Sequence, residues 1–193
     1  GLKHLPADAA LGVRASTILT QQKETKLALH TIQKAVTLHA NLSAALRSLA
    51  KAFLADGQKE PALNAYEKLI AEGHAEQADF AYAGYLAANL HFSVRSKAIF
   101  QQAETRFPED ESLARIEGWA FINLNDPRAA VAAFQRARSL LKPDTKPSAD
   151  LLTGLSLSQW LNQKPEDAIA TYRQLIEAGL AAKEPKDWAD PKT

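Results

Sequence analysis

Apolar side chains along this chain recur at helical spacing, and the pattern restarts at a fixed interval. Between Ser43 and Asp56, the residues Leu46, Leu49, Ala50, Phe53 and Leu54 fall on one helical face. Gly57 follows, and glycine tolerates the left-handed backbone that closes many helices. Between Lys59 and Ala71, the residues Ala62, Leu63, Tyr66, Leu69 and Ile70 make a second face, which Gly73 ends. The pattern predicts two helices joined by a tight turn. Asp126-Pro127 and Lys164-Pro165 mark further helix starts, because the N–H that proline lacks has no partner in a first turn anyway. Phe107-Pro108 reads as the close of a helix pair.

Segments starting at Ala9, Ser43, Gln77, Glu111 and Ala149 align with one another. The first three steps are 34 residues and the last is 38, with Thr145-Lys146-Pro147-Ser148 as the extra four. Small residues hold the eighth place (Ser16, Ala50, Gly84, Gly118, Ser156) and the twentieth (Ala28, Ala62, Ser96, Ala130, Ala168). The twenty-fourth is bulky: Ile32, Tyr66, Phe100, Phe134, Tyr172. The twenty-seventh is apolar: Ala35, Leu69, Ala103, Ala137, Leu175. Small residues let the two helices of one repeat cross closely, and the bulky residue fills the space between repeats. A single helix pair cannot bury its apolar face, so neighbours must stack.

This pattern resembles the tetratricopeptide repeat (TPR) family, most closely at Ala50, Gly57, Ala62 and Tyr66 and at Gly118, Ala130, Phe134 and Ala137. The resemblance covers residues 9–182. It implies an all-α fold, a right-handed α-solenoid of about five stacked helix-turn-helix repeats: 9–42, 43–76, 77–110, 111–144 and 149–182. There are departures. No repeat has the family's Trp at position four, Glu117 stands where Leu is usual, and Ser96 replaces Ala. Pro6 falls in the same register as Pro108, so residues 1–8 read as the end of a preceding repeat with Gly1 as a tag scar. The chain is then a window on a longer array. Residues 183–193, with Pro185, Trp188 and Pro191, follow no repeat column and read equally as a linker or as a cap on the last pair.

Composition removes several functional classes. With no Cys there is no disulfide scaffold, Cys-ligated zinc or thiol nucleophile. A net charge of +1 argues against general nucleic-acid binding. No apolar run is long enough to insert in a membrane. Alanine occurs 37 times, which suits close helix crossings without loss of helix propensity. There is no glycine-rich phosphate loop, and Gly154-Leu155-Ser156-Leu157-Ser158 lacks the last glycine of a nucleophile elbow. The histidines His4, His30, His39, His74 and His91 show no metal-ligand spacing and read as exposed. Glu67-Lys68 and Glu166-Asp167 read as solvated helix faces, and the sequon Asn41-Leu42-Ser43 carries little weight. No catalytic residue, metal site or cofactor is expected.

The resemblance implies a concave groove lined by the first helix of each repeat. Carried over by register, the candidate partner-binding residues are Arg47, Lys51, Tyr82, Tyr85, Asn89, Arg115, Trp119 and Asn123. Arg14, Asp150, Trp160 and Leu161 fall in the same set, with Trp160 assigned to packing. Arg, Tyr and Trp are the usual anchors of binding hot spots. The family's two-carboxylate clamp needs Asn at position nine, where this chain has Thr17, Lys51, Tyr85, Trp119 and Leu157, so a chaperone-tail clamp is not expected. The expectation is a non-enzymatic scaffold that binds a partner protein or peptide in the groove. Its setting resembles bacterial exopolysaccharide export, with the periplasm favoured over the cytoplasm. The alternatives are a regulatory arm of a multidomain enzyme, or a surface that binds an anionic or sugar polymer directly.

Overall fold

The computed structural model describes residues 6–37 and 42–179, with side chains over 10–36 and 43–179. His4, His39, Asn41 of the sequon and the 183–193 segment with Trp188 lie outside the described residues. Among those residues the chain forms ten helices and no strand: α1 Pro6–Gln21, α2 Thr25–Thr37, α3 Leu42–Ala55, α4 Lys59–Ala71, α5 Gln77–Asn89, α6 Ser93–Arg106, α7 Glu111–Asn123, α8 Pro127–Ser139, α9 Ala149–Leu161 and α10 Pro165–Glu177. They pair as five hairpins. Helices α5, α7 and α9 begin on the first residue of the expected repeats. Helix α1 begins earlier, because Pro6 has the fixed backbone angle suited to a first helical turn, so Pro6–Asp8 belong to α1. The chain divides into two compact bodies, Gly1–Gln101 and Gln102–Thr193.

Helix starts are capped by side chains. Asp110, Asp126 and Ser148 accept the backbone N–H of Leu113, Ala129 and Leu151 at 3.0, 3.2 and 3.2 Å. Pro127 and Pro165 sit at the first positions of α8 and α10. The turn inside every hairpin closes in one way. Glu24, Gln58, Phe92, Asp126 and Lys164 each donate their N–H back five residues, at 2.9–3.0 Å. This closure needs a left-handed residue just before the donor. Only the second hairpin supplies glycine there, Gly57 at φ 77°. Lys23, His91, Asn125 and Gln163 take the same conformation at φ 55–64°. A side chain there costs about 1–2 kcal/mol, so the hydrogen-bonded closure outweighs local preference.

In the first body, the small columns lie where the helices of a hairpin cross. Ser16 donates its hydroxyl to the Ala28 carbonyl at 3.1 Å, and Ser96 donates to the Gly84 carbonyl at 2.9 Å. Each bond joins an eighth place to a twentieth. Ser96 therefore replaces alanine without leaving a buried hydroxyl unsatisfied. The Phe100 ring lies over Gly84, where a Cβ would come within 2.5 Å of it. Leu29, Ile32 and Ala35 of α2 form one core with Ala45 and Ala52 of α3, so the second helix of one hairpin seats the first helix of the next.

The second body repeats the arrangement. Phe134 is fully buried, with its ring between Gly118 of its own hairpin and Gly154 of the next. The surrounding core joins Ala130 and Ala137 of α8 to Leu151 and Leu155 of α9.

Candidate functional site

The register set lies on first helices, but its members have different surroundings. In the first body, Arg47 of α3 turns to α5. Its Nε and Nη2 donate to the two Asp79 oxygens at 2.8 and 2.6 Å, and Nη2 lies 3.1 Å from Glu76. Asp79 is buried and also accepts the Glu76 backbone N–H at 2.9 Å, within a capping box at the start of α5. Burial pushes the Asp79 carboxyl up, but the Arg47 fork and the Glu76 N–H outweigh it and hold it below its ordinary value. Arg47 thus ties the second hairpin to the third.

Lys51, one turn along α3, is exposed, and its charge helps keep Asp79 ionised. Tyr82 and Tyr85 of α5 are 56% and 38% exposed, large values for aromatic rings in a helical core protein. Tyr82 stacks on the buried Tyr66 ring at 6.1 Å and 15°. The Tyr66 hydroxyl is pushed up to about 12 by burial, then by Asp79 and Tyr82, against Arg47. It stays neutral at any physiological pH. Asn89 ends α5 and is exposed. The structure therefore joins Arg47, Asp79, Tyr66 and Tyr82 in one cluster and presents Tyr82, Tyr85, Lys51 and Asn89 to solvent.

In the second body, Arg115 of α7 pairs with Asp150 of α9 and, at 3.1 Å, with Glu111 one turn before it. Asp150 is therefore part of a bond between hairpins. Trp119 is half-buried, edge-on to Phe134 with centroids 5.6 Å apart, and its indole N–H is buried without an acceptor. The side-chain surface it offers is carbon alone. Asn123 ends α7 and is exposed. Trp160 corrects an expectation. Assigned to packing, it is 60% exposed on α9, beside exposed Leu157 and Leu161. The bulky residue that packs is the one at the twenty-fourth place, on the second helix.

Glu67 and Glu117 correct two further readings. Glu67 is not simply solvated, because Arg95 of α6 grips it through two bonds of 2.8 and 2.6 Å. Glu117, in a place where leucine is usual, meets Arg136 of α8 at 2.5 Å. Arg136 reaches Glu104 at 2.6 Å with its other terminal nitrogen. Burial raises the Glu117 carboxyl; Arg136 opposes this and Glu104 adds to it, so the net shift is upward. The folded state then holds the Glu117 proton more tightly than the unfolded chain does, and stability contributed here falls as pH rises toward the raised value. Glu117→Leu is expected to raise stability by about 1 kcal/mol at pH 7, since Arg136 keeps Glu104. Urea denaturation at pH 7 and pH 4.5 checks this: the gain should shrink at the lower pH, because the raised Glu117 carboxyl takes up its proton on the way down. Equal gains at both pH values would count against the shift.

Among the described residues, no group of three His, Asp or Glu side chains could hold a metal ion, and no helix is long and apolar enough to cross a membrane. His30, His74 and His91 are exposed. Comparisons with known proteins agree on the repeat. A family model of the tetratricopeptide repeat matches residues 44–72, most of the second hairpin. No curated protein matches. A crystal structure of a MamA protein superposes with a TM-score of 0.75 at 13% identity, covering 94% of this chain and 100% of that one. MamA from Desulfovibrio magneticus gives 0.72 at 14% identity, over 95% and 99%. YrrB, described as a TPR protein with an unusual peptide-binding site, gives 0.67 at 18% identity, over 88% and 86%. The fold is thus an all-α solenoid of stacked helical hairpins. Small crossing columns, a bulky residue behind each crossing, a family match on the second hairpin and these likenesses meet in one conclusion: residues 44–72 match the tetratricopeptide repeat, and the chain has the fold of proteins built from that repeat.

Proposed function

We propose that this protein is a non-enzymatic scaffold that holds an extended peptide or a partner protein against its first helices. Tyr82 and Tyr85 of α5 serve as the aromatic anchors. One observation carries the reading: the Tyr82 ring is open to solvent yet fixed from behind by its stack on buried Tyr66. A ring already held in place loses little freedom on binding, and tyrosine is favoured at hot spots for that reason. Lys51 and Asn89 stand on the same helices as the polar part of the surface, with Arg47 bracing it from behind. Arg115, Trp119 and Asn123 supply a separate patch on the second body. YrrB, with its described peptide-binding site, lends support by analogy of fold.

Displayed random peptides selected on the intact chain provide the probe. Peptides that bind should lose at least ~2 kcal/mol, about 30-fold in Kd, with Tyr82→Ala or with Tyr85→Ala, measured by fluorescence polarisation. Unchanged binding in both variants would remove the anchors from the site. An exopolysaccharide-export setting is the narrower form of this proposal. The open Tyr82 ring suits a sugar chain as well, and exposed Lys51 adds a positive charge on α3, so a polyuronate is the second ligand to titrate. Saturable binding that both substitutions abolish, with no peptide selected, would assign the surface to polymer.

A further inference from the structure

Tyr82 and Tyr85 stand three residues apart on one face of α5, and they are the exposed large apolar residues of α3 and α5. This face offers flat rings instead of the aliphatic stripe on which an amphipathic helix seats. One face of Tyr82 is taken by Tyr66, with the rings 15° apart, so the exposure of Tyr82 belongs to its other face and its edge. A third ring can continue that stack. The polar groups around the rings are donors. Among the side chains described on α3 and α5, the one carboxylate is Asp79, and it is buried and held by the Arg47 fork. Glu76, just before α5, is drawn to the same guanidinium. Lys51 takes no part in those bonds and is exposed, and its charge is felt at Asp79, one turn before Tyr82. Neither tyrosine hydroxyl has a hydrogen-bond partner among the described residues. A ligand for this face therefore brings ring surface, acceptors and negative charge, and few N–H groups of its own. A stacked Arg or Lys from a partner would meet the Lys51 charge with no open carboxylate to offset it.

We infer that the partner segment is a proline-rich peptide in the polyproline II conformation that also carries a carboxylate, with a proline ring stacked on Tyr82 and the carboxylate drawn to Lys51. Proline supplies a compact apolar ring, keeps its carbonyl as an acceptor and has no N–H. A polyproline II chain makes no internal hydrogen bonds, so its carbonyls are free for the tyrosine hydroxyls. It is also preformed, so little ordering entropy is lost when it meets a ring already fixed from behind. The inference rests on the tyrosine surface proposed above and names the chemistry of what that surface holds.

Labelled repeats of Pro-Pro-Glu and of Ala-Ala-Glu, equal in length, test it on the intact chain by fluorescence polarisation. Pro-Pro-Glu should bind more tightly by about tenfold or more, and Tyr82→Ala should remove that advantage. Lys51→Glu should weaken Pro-Pro-Glu by about tenfold and strengthen Pro-Pro-Lys repeats, a reversal that a loss of structure does not produce. Tyr82 and Lys51 are exposed, so the helical circular dichroism of both variants should match that of the unmodified protein. Absence of Pro-Pro-Glu binding overturns the inference. So does equal binding of the alanine peptide, binding that survives Tyr82→Ala, or a Lys51→Glu variant without the reversal. The scaffold reading fails separately. Selected peptides that bind through Tyr82 and Tyr85 but lack proline leave that reading standing and this inference overturned. A surface that holds a polyuronate and no peptide removes both.

Discussion

Phe134→Ala is expected to cost about 3–5 kcal/mol, the usual range for emptying an aromatic place in a core. Phe134 is fully buried, and its ring occupies the space that Gly118 and Gly154 leave open. It also supports Trp119 edge-on at 5.6 Å, so its loss removes an aromatic pair as well as apolar burial. Alanine cannot fill that volume, and glycine on both sides has no side chain with which to close it. Urea denaturation measures the loss. Amide exchange locates it, with protection in α7, α8 and α9 falling first. The converse substitution tests the same geometry. A Cβ on Gly154 would meet the Phe134 ring closer than real contacts allow, so Gly154→Ala should destabilise despite the higher helix propensity of alanine. Adding Phe134→Leu to Gly154→Ala should recover part of that cost, because the smaller side chain can give way. Strict additivity of the two would mean that the ring and the glycine do not limit each other.

Much of the fold could be read from the sequence because a helix crossing admits few side-chain sizes. Ser16, Gly84 and Gly118 share nothing chemically except smallness, and smallness is what the crossing selects. The charged bonds between hairpins were not legible in the same way. Arg47 and Asp79 are 32 residues apart and Arg115 and Asp150 are 35 apart, and no helical period links such pairs. Their meeting depends on how one hairpin is set on the next. A trace was present nonetheless. Asp79 stands in a column otherwise filled by Leu11, Ala45, Leu113 and Leu151, and Glu117 stands in a leucine place. A carboxylate in an apolar column calls for a cation, and Arg47 and Arg136 answer that need. The left-handed turns hid for another reason. Lys23 and Gln163 have no preference for that conformation, so among the hairpin turns Gly57 and, more weakly, Asn125 were the residues that announced it. Of the proposed surface, the tyrosines followed from register, but their exposure and the Tyr66 stack did not.

Arg47→Ala carries the second large effect, because it separates a structural role from a binding role. With Arg47 gone, the buried Asp79 carboxylate keeps the Glu76 backbone N–H and the charge of Lys51, but no guanidinium fork. Stranding a buried charge costs about 3–5 kcal/mol, and about 3 is expected here because the Arg47 side chain is itself a quarter exposed. The pH dependence should change sign. In the unmodified protein the Asp79 carboxyl is held below its ordinary value, so its contribution is present above the unfolded value, about 3.9, and is lost as pH falls through the lower folded value. Without Arg47, burial dominates and raises the folded value. The variant should then regain stability as pH falls through that raised value, because protonation removes the stranded charge. Urea midpoints between pH 7 and pH 4 give the test, and a variant whose stability only declines toward acid would contradict it. Arg47→Met with Asp79→Leu should restore stability, since leucine already fills this column at Leu113 and Leu151. That restored protein isolates the binding question. If Arg47 acts as a brace, the double variant keeps the affinity of the peptides that Tyr82 and Tyr85 anchor. If Arg47 itself grips the partner, stability returns and affinity does not.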